Sequence, residues 1–154
     1  MPSPDLIALA AAVLEVPRAP ERALEIECGG GDGALFLARE YPAARVRGVD
    51  ASEDSVQRAA ARVGLDPEGR VAFKRGRPGS LPYPNDHFDL VAQLRGRIRP
   101  GEAARVLRAG GHLVLAGPVG RLVARNLRRH GIEQVASGGV DGSDFFVGRL
   151  GASL

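Results

Sequence analysis

The chain has 154 residues, 44% of them apolar, with 21 basic side chains against 18 acidic ones, a formal net charge of +3 and one cysteine. That length supports one hydrophobic core and leaves no room for a separate substrate domain. The lone Cys28 excludes an internal disulfide, as expected of a cytoplasmic protein, and so modest a charge with few aromatic residues to stack bases argues against nucleic acid as a partner.

In chain order, Ser3 as N-cap, Pro4 at the first helical position and Asp5 in the first turn predict a helix to about Val16, ended by Pro17 and Pro20. This segment carries Asp5 and Glu15 and no basic leader, so it reads as neither a signal peptide nor a membrane span. From Ala23 to Asp50 the pattern is strand (23–27), glycine-rich turn, helix (33–41) and second strand (45–50). Gly29, Gly30, Gly31 and Gly33 follow the apolar run directly, which lets the backbone turn tightly and approach a ligand that a Cβ would hold away. Asp50, closing the second strand, is placed to accept hydrogen bonds from both hydroxyls of a ribose. A turn that needs glycine for geometry alone is the plainer alternative, and the placed acid favours a cofactor. Gly29, Gly31 and Ala34 also satisfy the G-x-G-x-x-A fingerprint of NAD-binding proteins, so the turn by itself does not choose. Glu25 and Glu27 at the strand end, where dinucleotide proteins keep small apolar residues, weigh against NAD.

Downstream, helices are predicted at 52–63, 101–108 and 119–130 and strands at 71–75, 88–94 and 112–117. Ile132 to Val140 and Ser143 to Leu150, joined through Asp141 and Gly142, read as an antiparallel hairpin. The alternation predicts an α/β fold, a doubly wound and mostly parallel sheet with helices on both faces and the hairpin at its end. One domain is expected over 1–154: an N-terminal helix and linker (1–21), a cofactor-binding core (22–117), and a helix with the hairpin (118–154). Arg95, Arg97 and Arg99 follow the fourth strand, where the ligand of such a sheet lies, and are suited to an acidic substrate. Arg121, Arg125, Arg128 and Arg129 share one side of the late helix and read as a solvated face. His87 and His112 read as loop or surface residues, and no metal-ligand set is expected.

The segments SLPYPNDHFDLV (80–91) and RVLRAGGHLVL (105–115), together with Glu25, the glycine turn and Asp50, resemble the core of the class I S-adenosylmethionine-dependent methyltransferases, of the type 11-like kind. The likeness runs from about Arg22 to the end, where DFFVGRL looks like the family's closing strand. It implies S-adenosylmethionine as cofactor and methyl transfer to an acceptor that the sequence does not name. It also implies that Glu25, Gly29 and Gly31 face the methionine part and Asp50 the ribose with Ala51 beside it, that residues 76–78 face the adenine edge, and that Gln93 stands at the mouth toward substrate. Two departures stand out. Glu27 occupies the place of the family's first turn glycine, and Arg77, which has no acceptor for an adenine amino group, replaces a common acid. Only residues 117–120 separate the fifth strand from the next helix, where relatives carry a long substrate-covering insertion. The substrate side is therefore expected to be open, and a homodimer or a protein partner is expected to cover it. Two readings follow: an enzyme whose catalytic residues are unassigned, or a degenerate, non-catalytic methyltransferase-like subunit that binds or stabilises a partner.

Overall fold

The computed structural model describes residues 3–152. Its elements are α1 (Pro4–Val13), β1 (Arg22–Ile26), α2 (Asp32–Glu40), β2 (Arg45–Asp50), α3 (Glu53–Ala61), β3 (Val71–Arg75), β4 (Phe88–Gln93), α4 (Pro100–Val106), β5 (Leu107–Ala116), α5 (Arg121–Arg129), β6 (Ile132–Val140) and β7 (Ser143–Leu150). They build one seven-stranded sheet in the order β3-β2-β1-β4-β5-β7-β6. The first five strands run parallel, and β7 pairs antiparallel with both β5 and β6. This is the α/β, mostly parallel sheet with an antiparallel end pair that the alternation predicts. The hairpin closes through Asp141 and Gly142, both at positive φ (49° and 78°), the backbone that a two-residue turn between twisted strands requires. The sequence pattern did not show that β7 inserts between β5 and β6.

Strand periodicity divides the core between the two faces. Ala23, Leu90, Ala92 and Val114 pack with Leu9 of α1 and Leu37 of α2 on one face. Leu24, Ile26, Val91, Leu113 and Leu115 pack with Val106 of α4 and Leu127 of α5 on the other. Glu25, between Leu24 and Ile26, is thereby turned toward the α2 face. Ser3 caps α1 as expected, accepting a hydrogen bond from the Leu6 N–H at 3.3 Å, but the helix ends at Val13, with Leu14 as C-cap, rather than at Val16. β5 begins at Leu107, well before the expected 112, and shortens the preceding helix to Pro100–Val106. The ladder between β4 and β5 absorbs this early start as a register irregularity between Phe88 and Leu90.

Strand order reverses between β1 and β4, whose register sets Ile26 opposite Gln93. At such a switch point the connections leave toward opposite sides and open a crevice at the carboxyl ends of the strands.

Candidate cofactor and acceptor site

The turn after β1 is held from β2. The Gly29 N–H donates to Asp50 Oδ2 at 2.9 Å, the Ser52 N–H donates to Asp50 Oδ1 at 2.9 Å, and the Cys28 N–H donates to the Val49 carbonyl at 3.0 Å. Each carboxylate oxygen of Asp50 thus keeps a free lone pair for a ligand hydroxyl. Gly31, at φ 90°, starts α2, and a side chain there would meet the Phe73 ring at 3.0 Å and Ala59 at 3.1 Å. It serves the packing of the turn against β3 and α3. Cys28 is buried, which pushes its thiol up to about 12 and rules out a thiolate nucleophile at neutral pH.

Glu25 is wholly buried beneath the first turn of α2. The Ala34 N–H donates to its Oε1 at 2.8 Å, and its Oε2 has no partner and fills the space that a side chain on Gly33 would need. Burial pushes the carboxyl up to about 8, outweighing the helix amide and the Arg95 charge that pull it down. Its unpaired buried oxygen suits a cationic group better than solvent does.

Glu27 takes a left-handed backbone, φ 52°, a region costly for a residue with a Cβ. Its carboxylate rests directly against Gly96, itself at φ 82°, where no other residue would leave it room. The neighbouring Arg95 guanidinium lies over Gly29, with Nη1 3.1 Å from the position a Cβ would take. Gln93 folds this segment back by donating from Nε2 to the carbonyls of Arg95 (3.1 Å) and Arg97 (3.3 Å), while its Oε1 is buried without a partner. The loop after β4 therefore lies across the glycine turn.

Glu25 lies buried beneath α2 and Gly31 is turned against Phe73 and Ala59, while the fold brings Glu27, Gly29, Asp50 and Gln93 to the crevice. Ala51 is exposed at its edge, its carbonyl accepting a hydrogen bond from Arg75 Nε at 3.1 Å. Arg77 is exposed and pairs across a tight bend with Ser80, so the backbone of Gly76, bonded to the Asp50 carbonyl at 2.9 Å, borders the cleft there instead. His112 is not a surface residue: it is 8% exposed and pairs with Leu90 inside the sheet. His87 lies edge-on to Phe88, just before β4. The contacts of Arg95 with Gly29 and of Glu27 with Gly96 were missed from sequence, although Gly96, directly after the fourth strand, marks a place where backbone is closely approached. The sequence reading also missed Arg105, which donates to the Leu81 and Tyr83 carbonyls at 3.0 and 2.9 Å and pairs with Glu102, fixing the loop ahead of β4.

Residues 23–111, more than half of the chain, match the family described as a methyltransferase domain, and the chain belongs to that family. The resemblance to the class I methyltransferases implies S-adenosylmethionine as its cofactor. Among named relatives, the 27-O-demethylrifamycin SV methyltransferase of Amycolatopsis mediterranei (strain S699) is 39% identical over 108 residues, covering 64% of this chain and 39% of that protein. The chain thus spans well under half the length of that relative. The [4+2]-cyclase SpnF shares the fold with a TM-score of 0.79 at 20% identity, over 97% of this chain and 82% of that one. An S-adenosylmethionine dependent methyltransferase from Mesorhizobium loti does so with a TM-score of 0.73 at 17% identity, over 96% and 98%. Among the described residues, no helix is long and apolar enough to cross a membrane.

The residues present fit the cofactor in chemical type. Asp50 offers free lone pairs to a ribose, the unpaired Oε2 of Glu25 suits an ammonium, and Arg95 over Gly29 suits a carboxylate.

Proposed function

We propose that this chain binds S-adenosylmethionine along the β1–β4 crevice and serves methyl transfer to an acceptor held at the ends of β4 and β5. The observation that carries the reading is the turn itself: Asp50 gathers the Gly29 and Ser52 amides while keeping lone pairs outward, above a buried, unsatisfied Glu25. When bound, the cofactor supplies a methyl group already activated on a sulfonium sulfur, so the protein chiefly binds and aligns. In this reading Asp50 takes the ribose hydroxyls, Gly29 leaves backbone space for the methionine part, and Arg95 and Glu25 take its carboxylate and ammonium. Ala51 and Gly76 border the adenine, and Arg77 stays in solvent.

The second reading, a non-catalytic subunit, rests on Glu27 standing where the family resemblance implies a glycine. Titration calorimetry of the full chain with S-adenosylmethionine and S-adenosylhomocysteine separates the two. Saturable binding of both ligands is expected; heat from neither would turn the reading to the partner-binding subunit.

A further inference from the structure

Beyond the glycine turn, the carboxyl ends of β4 and β5 form one wall of a cavity of about 320 Å³ closed by α5 and the loop after β4. Such a volume falls within the range of small-molecule pockets, roughly 300–1,000 Å³. Ile98, Leu115, Val119, Leu122 and Val123 give it an apolar body. Its polar lining is Gln93, Arg95, Arg97 and Asn126, with no histidine or carboxylate among them. Neither guanidinium forms an ion pair among the described residues. Leu122, 79% exposed, stands at the α5 side, so the apolar body opens outward. The charged end meets the cofactor turn, because Arg95 lines the cavity and also covers Gly29. Glu27 rests against Gly96 at this end, and the lining itself carries two arginines and no acid.

We infer that this cavity is the acceptor site and takes an apolar carboxylic acid, tail toward α5 and carboxylate toward Arg97 and the turn. The inference rests on the methyl-transfer reading above. Transfer to a carboxylate requires no base, and the lining holds none. A carboxylate oxygen gives an electron pair to the methyl carbon, the carbon–sulfur bond breaks with its pair going to sulfur, and a methyl ester and a neutral thioether result with no proton moved. Gln93, with its buried Oε1 unpaired and its amide committed to the Arg95 and Arg97 carbonyls, sets the backbone from which both arginines extend.

Decanoate, 1-decanol and decyltrimethylammonium, titrated into the full chain with and without saturating S-adenosylhomocysteine, test this by calorimetry. Decanoate is expected to bind at least tenfold tighter than decanol, with no saturable binding of the cation. Arg97→Gln is expected to erase the preference for decanoate over decanol, and Val119→Gln to weaken both about equally. Equal affinity for decanoate and decanol, or a preference untouched by Arg97→Gln and by Arg95→Gln, would overturn the assignment. If decanoate binds as expected while S-adenosylhomocysteine does not, the methyl-transfer reading fails and the site stands. If S-adenosylhomocysteine binds and decanoate does not, the site fails alone.

Discussion

On the β1–β2 side of the crevice Asp50 holds two backbone amides and Glu25 caps α2, and Glu25 Oε2 is the buried oxygen left over among the described residues. On the β4–β5 side the Arg95 and Arg97 guanidiniums have no carboxylate partner among the described residues, and Gln93 Oε1 accepts nothing. The first side is pre-formed by the fold, and in the proposed function the second is completed by the ligand. Buried polar groups that satisfy one another fix a single geometry, whereas unpaired charge beside apolar walls is worth most to a ligand that pairs it and excludes water.

The largest effect is expected at Glu25. An exposed glutamate titrates near 4.5 and this one near 8, so between those values the native state holds more protons than the unfolded state and stability falls as pH rises. The Glu25 contribution is complete below 4.5 and lost through 8. Glu25→Gln keeps the shape without the titration, so from pH 5 to pH 9 the parent should lose stability relative to the variant by on the order of 3 to 5 kcal/mol. Urea midpoints of the two proteins at both pH values measure this; a constant difference would mean that Glu25 is ionised without penalty.

Asp50→Ala comes next. It removes a charged acceptor from two ribose hydroxyls and releases the Gly29 amide, so cofactor affinity should drop by about 2 to 3 kcal/mol, well over tenfold. Unchanged S-adenosylhomocysteine affinity would take Asp50 out of the site.

Glu27→Gly, on the border between the two sides, is expected to have the smallest effect. Relief of left-handed strain, about 1 to 2 kcal/mol, is offset by up to about 1 kcal/mol of added freedom in the unfolded chain. The net should raise the melting temperature by about 2 to 4 °C. Removal of the carboxylate beside Arg95 should also tighten S-adenosylhomocysteine by several-fold. A lower melting temperature with weaker binding would show instead that Glu27 assists the turn.

Sequence alone made the pre-formed side legible, because strand period, clustered glycines and an acid at a strand end are local patterns with fixed geometric meaning. It placed Asp50 and Gln93 at the ends of their strands and Gly29 in the turn. It could not show that Glu25 turns under α2, since that follows from which face of β1 the helix covers. The post-β4 loop was legible only as three nearby arginines. That Arg95 covers Gly29 while Arg99 packs against Gly79 depends on a bend made by the Gln93 amide, a contact without a sequence period. The early start of β5 was hidden likewise, because Arg108 to Gly111 has no apolar alternation and is drawn into the sheet by pairing.

In the proposed function one ligand crosses from the finished side to the unfinished one. Amide chemical shifts of the full chain, recorded while S-adenosylhomocysteine is added, follow that crossing residue by residue. The expected result is saturable movement of Gly29, Gly31, Ser52, Gly76 and Arg95, with His112 and the β6–β7 hairpin still. Saturating additions that leave the Gly29 and Ser52 amides unmoved would contradict it.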